Sequence, residues 1–270
     1  MLESKIPKLS LVGAGPGNID MVTLGCLKTL KSADVILYDK LINPKLLDYA
    51  SPVAEKIYVG KAPGLHYMKQ EIINGLIIEK AFSRGHVVRL KGGDPFIFGR
   101  GYEEMAAAKA AGIPVEVIPG ISSSIGLAGL KQIPLTARGY NESLWITTGT
   151  TQTGAISEDV KLAAKSSATI VILMGMHRLE EIINIFYQEN KQNIPVAIIQ
   201  NGSLPDEKMI IGIVSNILTE AKENDIKSPA VIIIGEVIRL SYPEHFAPSR
   251  HGDRLADYIS YQNDIVLVKA

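Results

Sequence analysis

The sequence has a single cysteine, no net charge and no long hydrophobic run. Its 270 residues include 28 basic and 28 acidic side chains, so no overall field attracts nucleic acid or an anionic membrane. Cys26 alone excludes an internal disulfide and is typical of a reducing compartment. No apolar stretch approaches the ~20 residues that span a bilayer, and the first residues do not form a signal peptide. We therefore expect a cytoplasmic protein that binds neither nucleic acid nor a membrane.

Several patterns of metal and catalytic sites are missing as well. The five histidines show no metal-ligand spacing, and the lone cysteine argues against a zinc site. No Ser-His-Asp arrangement and no Walker pattern occurs. We therefore predict that the protein holds no metal, and that an anionic ligand would be bound by locally clustered residues.

Short apolar segments alternate with helical segments in the first half of the chain, which predicts βαβ units and a mainly parallel sheet. A second series of strands and helices starts near Leu144, after a stretch broken by Gly139 and Asn141. We predict two α/β domains, over residues 1–138 and 139–240, and an irregular tail over 241–270. The predicted strands are Lys8–Val12, Asp34–Tyr38, Lys56–Val59, His86–Leu90, Val115–Ile118, Leu144–Thr148, Thr169–Met174, Val196–Gln200, Met209–Ile213 and Ala230–Ile234. Helices are predicted over Met21–Lys31 and over Met68–Arg84, and the second should stop at Gly85.

A glycine-rich segment between a strand and a helix is the most informative feature. The segment Lys91–Gly101, here called the glycine loop, reads Lys-Gly-Gly-Asp-Pro-Phe-Ile-Phe-Gly-Arg-Gly. Its paired glycines let the backbone approach a ligand closely, and Pro95 stiffens the turn. Asp94 can accept hydrogen bonds from ligand hydroxyls, and Arg100 can present a forked donor to a carboxylate. Open α/β sheets bind ligands at the carboxyl ends of their strands, so we predict a binding loop.

The segment Gly13–Gly17, Gly-Ala-Gly-Pro-Gly, follows the first strand and partly matches a dinucleotide-binding turn. Asn18 stands where the third glycine of that fingerprint belongs, and Pro16 lacks the backbone donor that a pyrophosphate would use. Asp39, at the end of the second strand, stands where a ribose-binding acid would stand. A nicotinamide-dependent oxidoreductase therefore stays open, as does a simple tight turn.

Asp39 and Lys61 each follow the end of a predicted strand, in Leu-Tyr-Asp and Val-Gly-Lys contexts. A parallel sheet would place both on its ligand-binding edge, where they could pair. Alternatively, one could move a proton while the other holds an anion. An ordinary surface acid and a solvated lysine are the competing interpretation.

Other residues that follow predicted strands are further candidates, and most of them could have either a ligand-binding or a structural role. Ser122 and Ser123 would present hydroxyls and amides to a ligand at a helix start, or would simply cap that helix. Met174 ends an apolar strand and could be a ligand wall or part of the core. Gly202 follows a later strand, where it could lie at a ligand site or simply form a turn. Arg138, in the stretch between the predicted domains, could clamp a carboxylate.

Taken together, these segments resemble the tetrapyrrole methylase family, whose members use S-adenosylmethionine. The resemblance covers roughly Lys8 to Arg239, and it is closest to the branch that methylates uroporphyrinogen III. Its most specific part is Arg89–Gly101. The other matching segments are Leu11–Gly17, Val35–Asp39, Tyr58–Lys61, Ile118–Ile121, Ile133–Thr136, Met174-Gly175 and Pro229–Ile232.

The resemblance implies a fold and a reaction. The fold is that of class III methyltransferases, with two α/β domains and the active site in the cleft between them, usually in a homodimer. The reaction is S-adenosylmethionine-dependent C-methylation of uroporphyrinogen III at C-2 and C-7, which gives precorrin-2 for sirohaem or cobalamin-type tetrapyrrole synthesis. Methylation of a later precorrin or of another substrate is the alternative within this fold.

The same matching implies residue roles. Asp39 falls on the proposed proton acceptor of the family and Lys61 on its proposed proton donor. Arg100, Arg138 and His66 become candidate anchors for the substrate carboxylates. The implied contacts to S-adenosylmethionine are Pro16, Gly92, Gly93, Asp94, Ile97, Ser122, Ser123, Met174 and Gly202.

Three positions depart from the usual family pattern. Ala62 follows Lys61 where arginine is general, Ala137 stands where histidine is common, and Tyr102 replaces a frequent glycine. Each change removes or reshapes a potential substrate contact, so the expected anchoring of the carboxylates differs from that of the family.

Overall fold

The computed structural model describes residues 6–60 and 68–246, and contacts divide the chain into two compact units. Unit 1 runs to Leu127 and includes the separate segment 201–207, while unit 2 comprises 128–200 and continues from Lys208. This division falls eleven residues before the boundary predicted after Arg138 (138 − 127). Most of the predicted tail, residues 247–270, lies outside the described residues.

Unit 1 is built on a parallel five-stranded sheet, as the alternating pattern predicts. Its order is β3-β2-β4-β1-β5, and every neighbouring pair runs parallel. The strands are β1 (Lys8–Gly13), β2 (Val35–Tyr38), β3 (Glu55–Tyr58), β4 (His86–Lys91) and β5 (Val115–Ile118). The helices are α1 (Leu24–Lys31), α2 (Gln70–Arg84) and α3 (Gly101–Ala110), with short 3-10 helices at Ile19–Met21 and Pro44–Tyr49. Helix α4 (Ser123–Leu130) begins in unit 1 and continues past Leu127, where the division falls.

Side chains of this sheet are buried on both faces, which explains its nearly continuous apolar strands. One face packs on α2 through Leu9, Leu11 and Ile77, among others. The other face packs on α1 through Cys26 and Leu30. Two hydrophobic layers therefore fix the strands, and polar side chains are left to their carboxyl ends.

Local capping sets where two helices of unit 1 begin and end. A single helix predicted over Met21–Lys31 is instead split, because the Thr23 hydroxyl accepts a hydrogen bond from the Cys26 amide and starts α1 at Leu24. Helix α2 ends at Gly85, which has a φ of 107° that side chains avoid. That end was predicted from the sequence and is confirmed.

Unit 2 has a mixed sheet in the order β6-β7-β10-β8-β9. Only β6 and β7 run parallel, while the other three pairs are antiparallel. Its strands are β6 (Leu144–Thr148), β7 (Thr169–Leu173), β8 (Pro195–Gln200), β9 (Lys208–Ile213) and β10 (Ala230–Ile234). Its helices are α5 (Glu158–Lys165), α6 (Leu179–Gln188), α7 (Ile217–Glu223) and α8 (Ile238–Ser241).

The segment 201–207 connects β8 to β9 yet belongs to unit 1 by its contacts. The Ser203 hydroxyl accepts a hydrogen bond from the Asn18 amide at 2.9 Å. A Cβ on Gly202 would lie 2.4 Å from Cδ1 of Leu127, so only glycine fits there. The hairpin connection is therefore a packed part of the unit that holds the glycine-rich turns.

Candidate functional site

The turns after β1, β4 and β5 meet at the carboxyl edge of the parallel sheet. The chain leaves β1 toward β2 on one side, and leaves β4 toward β5 on the other side. Neighbouring strands whose connections depart in opposite directions mark the switch point, where such sheets bind ligands. The glycine loop and the turn Gly13–Gly17 both lie at this point.

The backbones of Gly13, Gly93 and Gly120 lie so close together that a side chain on Gly13 or Gly120 would not fit. A Cβ on Gly120 would lie 2.2 Å from the carbonyl oxygen of Gly93, and one on Gly13 would lie 2.5 Å from Cα of Gly120. The backbones of Gly15 and Gly93 also form a reciprocal bridge, with N···O distances of 3.2 and 2.7 Å. These contacts lock the three turns into one rigid edge.

This bridge occupies the amides that a pyrophosphate would need. The Gly15 N–H donates to Gly93, the Gly93 N–H donates to Gly15, and Pro16 has no N–H. A dinucleotide-binding turn instead directs free amides at the pyrophosphate. The geometry therefore disfavours the dinucleotide reading of Gly13–Gly17.

The carboxylate of Asp94 holds the glycine loop in shape. One oxygen accepts from the Phe96 amide at 2.8 Å, and the other accepts from the Gly120 amide at 3.1 Å. The sequence predicted that Asp94 would accept from ligand hydroxyls, and that role stays a prediction. In the structure its first role is to tie the loop to the turn after β5.

The tip of the glycine loop presents apolar side chains to the outside. Phe96, Ile97 and Phe98 are all exposed, although such side chains usually lie in a core. Arg100, at the end of the loop, forms a fork with both carboxylate oxygens of Glu103, at 2.8 and 2.7 Å. The forked donor predicted for Arg100 is thus held by its own helix in this structure.

A buried cluster of charges, here called the charge cluster, reaches from α3 to Asp39. Arg89 Nη2 donates to Oδ1 of Asp39 at 2.6 Å, and Arg89 Nε donates to Oε1 of Glu104 at 2.9 Å. Lys91 Nζ donates to the same Glu104 oxygen at 3.0 Å, and Gln70 does so at 3.2 Å. The charge cluster therefore fixes the carboxylate of Asp39, for which the family resemblance implies a role in proton transfer.

Burial within the charge cluster differs sharply from member to member. Side-chain exposure is 0% for Glu104, 2% for Arg89 and 4% for Lys91, but 29% for Asp39. The second oxygen of Glu104 is buried and has no hydrogen-bond partner within the described residues. Asp39 is thus the member that a ligand can reach.

The pKa values of the two cations of the charge cluster are shifted in opposite directions. Burial lowers the pKa of Arg89, but the charges of Glu104 and Asp39 outweigh it, so the pKa of Arg89 lies above its usual value. Burial and the neighbouring charge of Arg89 together lower the pKa of Lys91. Arg89 is therefore the fixed charge, and Lys91 is the more readily deprotonated one.

The patterns in the sequence did not single out Arg89, Lys91 or Glu104 as candidate site residues. A usable signal was present, because Arg89 and Lys91 interrupt the apolar run of β4, a strand in the middle of a sheet. Charges in a strand buried on both faces need partners. Only the fold, however, identifies Glu104 as that partner.

Some of the remaining predicted residues have structural roles, and others are accessible to solvent. Ser122 is buried, and its hydroxyl accepts from the Ser124 amide at 3.3 Å, as a helix cap does. Ser123 opens α4 and is half-buried. Met174 has 53% exposure and a φ of 55°, so it is not a core residue. Arg138 is exposed.

Two predicted site residues, Lys61 and His66, lie outside the described residues, as does Ala62. Cys26 is buried, and burial raises its pKa to about 11, so it is a poor nucleophile at neutral pH. Over residues 6–60 and 68–246, no group of three or more His, Cys, Asp or Glu side chains could hold a metal ion. In the same ranges no helix is both long and apolar enough to cross a membrane.

Comparison with known proteins places this geometry in a family. The family model for tetrapyrrole (corrin/porphyrin) methylases matches residues 8–218. The chain is 44% identical over 235 residues to a uroporphyrinogen-III C-methyltransferase of Methanocaldococcus jannaschii, which covers 86% of this chain and 97% of that protein. A uroporphyrin-III C-methyltransferase of Thermus thermophilus, solved with S-adenosylhomocysteine, gives a TM-score of 0.75 at 35% identity over 86% of this chain and 99% of the other.

Some similar proteins are about twice as long as the matching part. A siroheme synthase of Acinetobacter baylyi is 41% identical over 231 residues, which cover 85% of this chain but only 50% of that protein. The chain thus matches nearly the whole length of one kind of relative and about half the length of another.

The close approach of the three glycines leads to a stability prediction. Gly120→Ala should destabilise unit 1 by about 1–3 kcal/mol, because the new methyl group overlaps the Gly93 carbonyl. Gly75→Ala, in the middle of α2 with open space around it, should instead stabilise by about 0.5–1 kcal/mol. Urea unfolding of both variants measures the difference. Equal midpoints for the two variants would contradict the interlocked turns.

The role of Asp94 in the loop gives a second prediction. Asp94→Ala should cost about 1 kcal/mol, because the Phe96 and Gly120 amides lose their acceptor. Hydrogen exchange should also become faster at the Gly120 amide. Asp48→Ala, an exposed acid of the same unit, is the control and should change neither quantity. Unchanged exchange at Gly120 in Asp94→Ala would show that the carboxylate does not hold the turn.

Proposed function

The chain belongs to the tetrapyrrole (corrin/porphyrin) methylase family. We propose that it transfers methyl groups from S-adenosylmethionine to C-2 and C-7 of uroporphyrinogen III and so makes precorrin-2. The observation that carries the proposal is the 44% identity to a uroporphyrinogen-III C-methyltransferase along 97% of that protein's length. The product would enter sirohaem or cobalamin-type tetrapyrrole synthesis.

The described residues fit S-adenosylmethionine better than a dinucleotide. This cofactor has no pyrophosphate, so it does not need the amides that Gly15 and Gly93 use on each other. The exposed side chain of Ile97 offers an apolar contact for the face of an uncharged adenine ring. We assign the contacts to the cofactor to Pro16, Gly92, Gly93, Asp94, Ile97, Ser122, Ser123, Met174 and Gly202.

The cofactor, when bound, supplies a methyl group already activated on a sulfonium. The protein must therefore mainly align a carbon of the substrate and exclude water. After a pyrrole carbon has gained the methyl group, a proton must leave a bridging carbon of the macrocycle. We assign the acceptance of that proton to Asp39, whose carboxylate is partly exposed at the edge of the sheet. Lys61 is proposed as the matching donor.

Uroporphyrinogen III carries eight carboxylates, so its binding requires cationic side chains. Because the chain has no net charge, these side chains must be clustered at the site. We propose Arg100, Arg138 and His66 as anchors. The fork between Arg100 and Glu103 lies at the surface, where an ion pair contributes little stability and can be exchanged for a substrate carboxylate. A homodimer and a cytoplasmic location complete the proposal by analogy with the family.

A product assay tests the reaction directly. Anaerobic incubation with uroporphyrinogen III and S-adenosylmethionine should give the precorrin-2 spectrum and two S-adenosylhomocysteine molecules per substrate. Asp39→Asn should lower the rate roughly 100-fold or more, because it removes the proton acceptor, while S-adenosylhomocysteine binding is retained. Asp48→Asn, an exposed acid of the same unit, should behave as the unmodified protein. Methylation of a later corrinoid, with none of uroporphyrinogen III, would replace the proposed substrate.

A binding assay separates the cofactor classes. Calorimetry should show binding of S-adenosylhomocysteine and none of NAD, because the Gly15 and Gly93 amides are engaged with each other. Binding of NAD alone would overturn the methyltransferase proposal and restore the oxidoreductase alternative.

A further inference from the structure

We propose that Arg89 and Glu104 are positioning residues for the proposed methylation, and that they hold the Asp39 carboxylate in the orientation of a proton acceptor. This inference rests on the proposed function. The two residues act through Asp39, because Arg89 and Glu104 are buried and do not reach a ligand themselves.

Charge balance gives the first argument. Arg89 and Lys91 carry two positive charges, and the buried Glu104 carries one negative charge. These three side chains sum to one positive charge in a place where water does not screen it. With Lys91 protonated, the nearby carboxylate of Asp39 supplies the second negative charge that balances the charge cluster.

Hydrogen-bond geometry gives the second argument. Oδ1 of Asp39 receives a charge-assisted bond from Arg89 at 2.6 Å, whereas Oδ2 lies 3.9 Å from Lys91 Nζ, beyond hydrogen-bonding distance. One carboxylate oxygen is thus anchored, and the other is left to accept a proton. Arg89 is itself held, because its Nη1 donates to the carbonyl oxygens of Leu37 and Leu90.

The position of Glu104 gives the third argument. Its Oε1 accepts from Arg89, Lys91 and Gln70, so one oxygen aligns donors from β4 and α2. Without this carboxylate, the guanidinium of Arg89 would lose the partner that sets its plane. The charged groups that face Asp39 in the described residues are Arg89 and Lys91 from β4, with Glu104 of α3 behind them.

The test compares two substitutions that should act in opposite directions. Arg89→Gln removes a cation beside Asp39, so the titration midpoint of Asp39 should rise above that of the unmodified protein. Glu104→Gln keeps an acceptor oxygen but removes the competing anion, so the midpoint should fall. Carbon-13 NMR of aspartate-labelled, substrate-free protein measures both, with Asp39→Asn assigning the signal. Lys161→Gln, which breaks an exposed pair with Glu158, is the control and should shift nothing.

Turnover provides the second readout. Arg89→Gln should lower kcat for methylation roughly tenfold or more, and the acid limb of its pH profile should move to higher pH. In an Asp39→Asn background, the same substitution should change kcat less than about twofold, because Arg89 acts through Asp39. A structural role alone would give independent, multiplicative losses and an unmoved limb. S-adenosylhomocysteine binding confirms that each variant is folded.

The outcomes distinguish this inference from the proposed function. If the unmodified protein makes no precorrin-2, the proposed function fails, whereas the NMR midpoints still decide whether the charge cluster controls Asp39. If precorrin-2 forms but both midpoints stay within error of the control, the inference is wrong. Should Arg89→Gln fail to fold, the downward shift in Glu104→Gln decides alone, and an unchanged or raised midpoint there rejects the proposal.

Discussion

The edge of the first sheet depends on the absence of side chains at Gly13 and Gly120. A Cβ on either residue would overlap the backbone of the other and the carbonyl oxygen of Gly93, so the turns after β1, β4 and β5 form one connected surface. Because the turns touch, the Asp94 carboxylate can bridge two of them with its two oxygens. The edge is thereby rigid before any ligand arrives, which lowers the entropic cost of ordering it on binding.

This rigid edge stands beside a buried set of opposite charges. Isolated buried charges are strongly unfavourable, yet Arg89, Lys91 and Glu104 are almost completely removed from solvent. Their mutual hydrogen bonds offset part of that cost, and the partly exposed Asp39 supplies the remaining negative charge. Such an arrangement contributes less to stability than an apolar core of the same volume.

Sequence reasoning could predict the parts of the fold that depend on local pattern. All ten strands were expected from apolar runs and turn residues, and the glycine loop was expected at the end of β4. The direction of the second sheet was not predictable in the same way, because periodicity is the same in parallel and antiparallel strands. The contact of Glu104 with β4 depends on how α3 packs, a tertiary fact that no spacing encodes. The accessible position of Asp39 was predicted, but its partners were not.

Segment 201–207 connects two strands of unit 2 but belongs to unit 1 by its contacts, and this matters when the chain is cut into fragments. A polypeptide cut once after Leu127 would deprive the first unit of the stretch that covers Leu127 and that accepts from the Asn18 amide. Leu127 has only 3% exposure, so its loss of cover would leave a hydrophobic surface in water. Neither unit can therefore be exchanged as one continuous block. In a chimaera of two relatives, segment 201–207 must come from the same parent as the residues up to Leu127.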